Sequence, residues 1–431
     1  MKLKKLKINS LYHLKDLEFD FTYPEGHEKA GQPLEKICFI GQSATGKTKI
    51  LNSIFTNLSY LLSAELINNE AIFPRNLRNG ITKNINGEML VDVDGEDLML
   101  TDKYVWYKHK TYYESNDGGS VTNLISDYNN TNKAIYFDTN YISSENIKYF
   151  NTKPLEIVLE NNDDENISTR NTDSRYYHFK ENLNDKYILN LLKSFLDFRQ
   201  KYDQKVRELL LNGYIADLDK FNKEFREWQM KNPNPIDDFS NKFDILLNKL
   251  HLEVDKINVD YAIPFKNKVT EEIVPIDGLS TGTKGLLLYM LPLYQINTSK
   301  SIVILDEPER SLYPDIQMEL MDFFRKISPN SQIITATHSP FIAASFEPEE
   351  RFILYFNEEG KVQVRNGSSP IGDDPNDILF NDFGVNYINK YGQKAYDEYK
   401  ELKQKIYFEK DDVKKKEYSE RLEELGEKYN F

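Results

Sequence analysis

The chain has 431 residues, of which 39% are hydrophobic and 29% are charged, and it carries a formal net charge of −14 at pH 7. An acidic overall field disfavours nucleic acid as a partner, and no apolar run is long enough to support a helical membrane span. The single cysteine, Cys38, excludes an internal disulfide framework and a cysteine-rich zinc site, so we expect a cytoplasmic protein.

Alternating apolar and polar residues predict strands at several points in the first third of the chain. Two of them, LKKLKINSL and LEFDFTY, fall within residues 1–22. Residues 88–114 are predicted to form further strands, with EMLVDVDGEDLML as a hairpin. We expect one more apolar strand, KAIYFDTNYIS, over residues 133–143.

A phosphate-binding loop is predicted at GQSATGKT, which fits the pattern G-x-x-x-x-G-K-[ST] between a predicted strand and a predicted helix. Gly41 and Gly46 let the backbone bend, so that its N–H groups point at phosphate oxygens at a helix N-terminus. We expect Lys47 to reach the β- and γ-phosphates of ATP, and Thr48 to bind Mg²⁺. A chance match is the alternative, and the strand–loop–helix setting disfavours it. The predicted ATP-binding residues are Gly41, Gln42, Ser43, Ala44, Thr45, Gly46, Lys47, Thr48 and Lys49.

The middle of the chain is predicted to be an insertion. Residues 145–175 are rich in Asn, Asp, Ser and Thr, which indicates a flexible loop. Residues 182–252 are predicted to be mostly helical and broken at NPNPID. Their helical stripe is Leu218, Phe221, Phe225 and Trp228.

Two later segments, SIVILDEPE and SQIITATHS, are predicted to be parallel strands buried on both faces. In a phosphate-loop fold, an acid at the end of a neighbouring strand holds Mg²⁺, and a second acid accepts a proton from the attacking water. We assign Asp306 to the metal and Glu307 to the water, and expect His338 to contact the γ-phosphate or orient the water. The alternatives are an acidic turn after a buried strand and a histidine that only caps a strand end.

A small polar loop, DGLSTGTKG, precedes the apolar run LLLYMLPL. A phosphate loop, a distant LSTGTK, an ILDEPE and a later strand-end histidine, in this order, resemble the ABC-type ATPase head of the SMC and RecF-like branch. The resemblance implies a site completed in trans, where Ser280 and Gly282 of one subunit contact the γ-phosphate held by Lys47 of another. A simple cap and turn before a helix is the alternative. The signature loop is Leu279, Ser280, Thr281, Gly282, Thr283 and Lys284, and that branch usually has glutamate at the position of Thr283.

Two other parts of the family pattern are altered. SLYPD resembles the loop that crosses the dimer interface, usually SLHP, with Tyr313 in place of histidine and Arg310 as a charged variation. No glutamine loop is evident, and Asp138 or Asn140, after the strand IYF, is the candidate for its position. These departures leave the positioning of Mg²⁺ and water open.

The fold is predicted to be α/β, a P-loop NTPase of the ABC-ATPase head type with a helical insertion and a C-terminal helical hairpin. Apolar residues at 3/4 spacing predict the hairpin. The insertion and the tail are candidate partner surfaces, although such stripes also serve packing within a chain. The predicted order is residues 1–144 for the first half of the head, 145–260 for the loop and insertion, 261–370 for the second half and 371–431 for the tail.

Within that branch the chain resembles the stand-alone ATPases of bacterial antiphage systems, such as PtuA of Septu and AriA of PARIS, an OLD-like head without a Toprim domain. This implies a slow ATPase that pairs head to head and controls a separate effector, such as a nuclease. A RecF- or SMC-like DNA repair ATPase and an ATP-dependent scaffold with little hydrolysis are the alternatives. Glu307 favours hydrolysis, whereas DNA binding would need a local basic patch, to which Lys2, Lys4, Lys5 and Lys7 are candidates.

Overall fold

A computed structural model describes residues 1–63, 65–67, 70–72, 86–113, 121–123, 125, 131–142, 175–181, 185–255, 263–275, 278–386 and 388–429. The loop expected at 145–175 lies, apart from its last residue, outside this part of the chain. The helices are α1 Lys47–Ser63, α2 Asp185–Leu211, α3 Leu218–Lys231, α4 Pro235–Lys249, α5 Thr281–Gln295, α6 Pro314–Ile327, α7 Pro340–Ala343, α8 Pro375–Asn381, α9 Gln393–Phe408 and α10 Asp412–Tyr429.

The strands are β1 Lys2–Leu11, β2 Leu14–Asp20, β3 Lys36–Gly41, β4 Glu65–Ile67, β5 Glu70–Ile72, β6 Gly87–Val93, β7 Glu96–Thr101, β8 Tyr104–Tyr107, β9 Lys110–Tyr113, β10 Val121–Asn123, β11 Ala134–Phe137, β12 Tyr176–Phe179, β13 Leu252–Val254, β14 Phe265–Asn267, β15 Ile273–Val274, β16 Ile302–Asp306, β17 Gln332–Thr337, β18 Arg351–Phe356 and β19 Val362–Asn366. The two strands predicted near the start of the chain are β1 and β2, which form an antiparallel hairpin, and the predicted hairpin β6–β7 is confirmed.

The central sheet has seven strands in the order β12–β11–β16–β17–β3–β18–β19. Neighbouring strands are parallel, except that β19 runs antiparallel to β18. Strands covered on both faces require apolar residues at successive positions, as β16 and β17 show. The prediction that SIVILDEPE and SQIITATHS form buried parallel strands is therefore confirmed.

The central sheet separates two apolar cores. Ile37 and Phe39 of β3 face the core that holds α1 and the six-stranded antiparallel sheet β2–β1–β6–β7–β8–β9. Cys38 and Ile40 face the other core, which holds α5 and α6. Because side chains alternate along a strand, α1 and α5 pack on opposite faces of the same sheet.

The strand predicted over residues 133–143 is shorter than expected, because β11 ends at Phe137. Asp138 caps a short 3-10 turn at residues 139–141, where its side chain accepts a hydrogen bond from the N–H of Asn140 at 2.9 Å. A local bond from an aspartate to its own backbone competes with the strand ladder and ends it.

The expected insertion contains one strand of the central sheet as well as helices. Strand β12 pairs in parallel with β11, so residues 176–179 belong to the sheet and the helices begin at Asp185. The predicted break before Pro235 is present, and a second break separates α2 from α3 at residues 212–217. The rings of Phe225 and Trp228 contact Tyr202 on α2, whereas Leu218 is 67% exposed.

The lysines of β1 do not form an open basic patch, because each lies near an acid of the same sheet. The salt bridges and cross-strand neighbours are Lys2 with Asp92, Lys4 with Asp97, Lys5 with Asp20, and Lys7 with Glu18 and Glu88. These acids reduce the local positive field that DNA binding would need.

The predicted terminal hairpin is formed by α9 and α10, which pack against each other. Leu402 and Leu425 are buried at its seam, and Arg421 contacts Glu398 across it at 2.8 Å. No helix among the residues described above is both long and apolar enough to cross a membrane.

Candidate nucleotide site

The predicted phosphate loop joins the end of β3 to the start of α1. A Cβ atom at Gly41 would lie 2.4 Å from the carbonyl oxygen of Leu354 on β18, so only glycine fits where the loop begins. Inside the loop, Ala44 has a φ of 67° and the Oγ1 of Thr45 donates to the carbonyl of Gln42 at 2.7 Å. The loop is thus a compact turn at a helix N-terminus, the geometry that binds phosphate.

Lys47 is buried within this loop. Its Nζ donates to the carbonyl oxygens of Gly41 at 2.7 Å and Gln42 at 3.2 Å. Burial lowers the pKa of Lys47, and the nearby carboxylates of Glu307 and Asp306 oppose that shift. A phosphate bound at the loop would offer this ammonium a charged acceptor in place of the two carbonyls.

The exposed side of the loop carries Gln42, Ser43, Thr48 and Lys49. Beside it lies the turn between β1 and β2, where the ring of Tyr12 is 70% exposed and the Nζ of Lys49 lies 5.0 Å from its centroid. Sequence analysis did not identify Tyr12, since nothing in a tight hairpin turn indicates that it will pack beside a loop 30 residues later along the chain.

Asp306 ends β16 next to the phosphate loop. Its Oδ1 is buried and has no hydrogen-bond partner among the described residues, while Tyr136 donates to its Oδ2 at 3.5 Å. Burial raises the pKa of Asp306, and the neighbouring hydroxyl groups of Thr48 and Thr139 oppose the shift. A buried carboxylate oxygen with no donor is costly, and a cation relieves that cost.

These residues fit Mg²⁺, which prefers oxygen ligands and keeps several waters. Thr48 and Asp306, the two predicted metal ligands, lie side by side. In the part of the chain that the structure describes, no three His, Cys, Asp or Glu side chains cluster as a metal site. Phosphate oxygens and water would therefore have to complete the coordination.

We expect Asp306→Asn to stabilise the nucleotide-free protein by about 1 kcal/mol, because it removes a buried charge with one oxygen that has no hydrogen-bond donor. A carboxyl group whose pKa is raised by folding contributes stability at low pH that is lost as the pH rises, so the gain should be larger at pH 8 than at pH 5. Thermal unfolding of the variant and of wild type at both pH values, with and without Mg²⁺ and ATP, measures this difference in stability. The variant should lose the stabilisation by Mg²⁺ and ATP, and a variant less stable than wild type without nucleotide would contradict this account.

Glu307 and His338 follow neighbouring strands and face each other. The Nε2 of His338 lies 3.6 Å from the Oε1 of Glu307, which is too long for a direct hydrogen bond and leaves both groups free to share a water. Glu307 has a φ of 50°, a strained value that turns its side chain out of the strand direction. Burial and the charge of Lys47 lower the pKa of His338, which favours the neutral imidazole, while Glu307 opposes the shift.

Glu309 was not assigned by sequence analysis, although it lies two residues after Glu307. Its Oε1 accepts hydrogen bonds from the Oγ1 of Thr337 at 2.6 Å and from the N–H of His338 at 2.9 Å. Burial raises the pKa of Glu309, and these bonds oppose the shift. The sequence signals it only as one more acid, directly after Pro308. Its hydrogen-bond partners depend on which strand lies next to β16.

The signature loop opens α5. Ser280 caps the helix, and its Oγ accepts a hydrogen bond from the N–H of Thr283 at 3.2 Å. A Cβ at Gly282 would lie 2.2 Å from the carbonyl oxygen of Ser311, so glycine is required where the loop meets the segment that follows Glu309. Ser280 and Thr281 are exposed, Leu279 and Lys284 are half-buried, and Ile276 and Asp277 lie outside the described residues.

The two candidates for the glutamine-loop position follow β11, near Asp306. The side chain of Asp138 lies 3.8 Å from the Nε2 of His178, whose proximity lowers the pKa of Asp138, and Asn140 is exposed. Thr139, which lies between them, is next to Asp306. Arg310 donates to the carbonyl of Thr139 at 3.2 Å.

A protein-family model described as "AAA domain, putative AbiEii toxin, Type IV TA system" matches residues 125–344, just over half of the chain. None of the curated proteins compared is a significant match.

Solved structures of SMC heads are distantly similar. An Smc head bound to the C-winged helix domain of ScpA is 12% identical, with 85% of this chain and 98% of that chain covered, at a TM-score of 0.40. The SMC head domain from Thermotoga maritima is 12% identical, with 86% and 100% covered, at 0.39. The Smc head with an extended coiled coil, bound to the C-terminal domain of ScpA and derived from Pyrococcus furiosus, is 14% identical, with 85% and 96% covered, at 0.38.

Proposed function

Because the chain belongs to the AAA-domain family whose description names the putative AbiEii toxin, we propose that it is an ATP-hydrolysing switch of the ABC type. The main support for the proposal is that three groups lie close together at one edge of the central sheet. These are a phosphate loop, a buried carboxylate with an oxygen that has no partner, and a facing Glu307–His338 pair. The switch would be cytoplasmic and slow.

In this mechanism the residues Gly41 to Lys49 bind the phosphates of ATP, and the exposed ring of Tyr12 packs against the adenine. Mg²⁺, held by Thr48 and Asp306, would neutralise the charge that develops on the phosphates. Glu307 accepts a proton from the attacking water. The neutral imidazole of His338 donates a hydrogen bond to the γ-phosphate.

The site is completed by a second copy of the chain. Ser280 and Gly282 would contact the γ-phosphate bound by the other copy, with the N-terminus of α5 directed at it. Two features support this arrangement over completion within one chain. The helix that starts at Lys47 and the helix that starts after Ser280 pack on opposite faces of the sheet, and Ser280 is exposed.

Closure of the pair would move the helical insertion, because α2 packs against α5 and α4 packs against α6. We propose that this movement, or that of the α9–α10 hairpin, controls a separate effector such as a nuclease in antiphage defence. A family description that names a toxin is compatible with that role. The paired lysines of β1 disfavour the alternative of a DNA repair ATPase.

Ser280→Arg tests the composite site. A long cation at this position should block closure, so hydrolysis should fall by at least about 100-fold, the effect of losing a preorganised donor at the reacting group. ATP affinity should stay within about twofold, because the phosphate loop is unchanged. Hydrolysis, binding of a fluorescent ATP analogue and oligomeric mass with ATP are the measurements, with Ser419→Arg on exposed α10 as the control. Hydrolysis at the wild-type rate would show that the loop is only a helix cap.

A further inference from the structure

We propose that Glu309 is a positioning residue that fixes the imidazole of His338 opposite Glu307, an inference that rests on the proposed ATPase function. Glu307 and Glu309 both follow β16, whereas His338 follows the neighbouring strand β17. One carboxylate oxygen of Glu309 joins the ends of these two strands through its bonds to Thr337 and His338. The N–H of Glu307 also donates to the carbonyl of Ala336 on β17 at 2.9 Å, which fixes the base relative to that strand. Glu309 adds the bond that reaches His338 itself.

The segment after β17 is held on both sides of His338. Before it, the Oγ1 of Thr337 donates to Glu309 and accepts from the N–H of Ser339 at 2.9 Å. After it, Ser339 makes a hydrogen bond to the side chain of Gln317 on α6. These bonds fix the backbone from which the imidazole projects toward Glu307, 3.6 Å away.

Stability alone does not account for a carboxylate here. The Oε2 of Glu309 is buried without a hydrogen-bond partner among the described residues, and burial disfavours the ionised form. A neutral residue of the same shape would avoid the cost of burying a charge. What the carboxylate provides is a short, charge-assisted bond to the Thr337 hydroxyl and a bond to the amide of His338. Such groups are retained where geometry matters more than stability.

A double-mutant cycle on ATP hydrolysis tests whether Glu309 acts through His338. Glu309→Ala should lower kcat by about 10- to 100-fold, as expected when a reacting group is misplaced by about 1 Å. Its KM and its affinity for a fluorescent ATP analogue should stay within about twofold of wild type. Glu309→Gln keeps an acceptor oxygen and should recover most of the rate. The variant with both Glu309→Ala and His338→Ala should be no slower than His338→Ala alone.

Amide hydrogen exchange at His338 gives a readout that does not depend on turnover. Its N–H donates to Glu309, so Glu309→Ala should speed exchange there by at least about tenfold, while Glu309→Gln leaves it protected. Thr337→Val removes the other donor with little change of shape and should reproduce part of the loss in kcat. Thr337→Val therefore tests the same role of Glu309 if Glu309→Ala folds poorly.

The outcomes separate this inference from the proposed function. A wild-type chain that hydrolyses no ATP overturns both. An active wild type in which the Glu309 and His338 effects multiply overturns only the positioning role, and so does unchanged exchange at His338 in Glu309→Ala. Loss of rate in Glu309→Ala, rescue by Glu309→Gln and no further loss in the double variant together establish it.

Discussion

Glu307→Gln should lower ATP turnover by at least about 100-fold, the effect expected when a general base is removed. Glutamine has nearly the same shape but cannot accept the proton of the attacking water, so ATP should still bind. The ATP-bound pair should then accumulate, because the step that reopens it is blocked. Steady-state hydrolysis and light-scattering mass with ATP and Mg²⁺ measure both parts of the prediction.

Glu358→Gln is the matched control, since Glu358 is an exposed acid on the turn between β18 and β19, and it should hydrolyse ATP at the wild-type rate. A Glu307→Gln variant that keeps its turnover would exclude Glu307 as the base. A variant that loses turnover without accumulating an ATP-bound pair would still be consistent with Glu307 as the general base. It would contradict the formation of a closed pair.

Asp382→Ala should lower the free energy of unfolding by about 3–5 kcal/mol, the cost of leaving a buried charge without its partner. The Nη1 of Arg351 lies 3.0 Å from the Oδ2 of Asp382, and both side chains are fully buried. Arg351 opens β18, next to the phosphate-loop strand β3, whereas Asp382 follows α8. The pair therefore ties the beginning of the expected tail to the central sheet. Urea unfolding measures the loss.

A double variant, Arg351→Met with Asp382→Leu, separates the charge from the packing. It replaces both buried charges with apolar side chains of similar size, so its free energy of unfolding should lie within about 1–2 kcal/mol of wild type. If the single variant and the double variant were equally destabilised, the loss would come from packing, and the ion pair would not be the anchor of the tail.

Local patterns predicted the parts of the fold that depend on nearby residues. Strand β16 is apolar at four successive positions before Asp306, and that run predicts burial on both faces whatever lies beside it. The glycines of the phosphate loop and the helix cap at Ser280 also follow from residues that are adjacent in the sequence. The end of β11 was predicted less well, because a capping bond from Asp138 competes with the strand.

The residues that complete the site come from distant parts of the chain, and periodicity does not predict them. Thr139 lies beside Asp306 because β11 pairs with β16, and Tyr12 lies beside the phosphate loop because the β1–β2 turn packs there. Glu309 depends on the order of β16 and β17. Each is a common residue type with no motif of its own, so only the strand order identifies its neighbours.

Mixing two inactive variants tests the trans site most directly. Lys47→Ala removes the phosphate-loop cation, and Ser280→Arg blocks the signature loop, so each alone should hydrolyse no ATP. In a mixed pair, one site combines both defects and the other combines an intact phosphate loop with an intact signature loop. If the copies exchange freely, an equimolar mixture should reach about one quarter of the wild-type rate. A mixture as inactive as its components, with exchange of copies shown by mass, would mean that the site is not shared between chains.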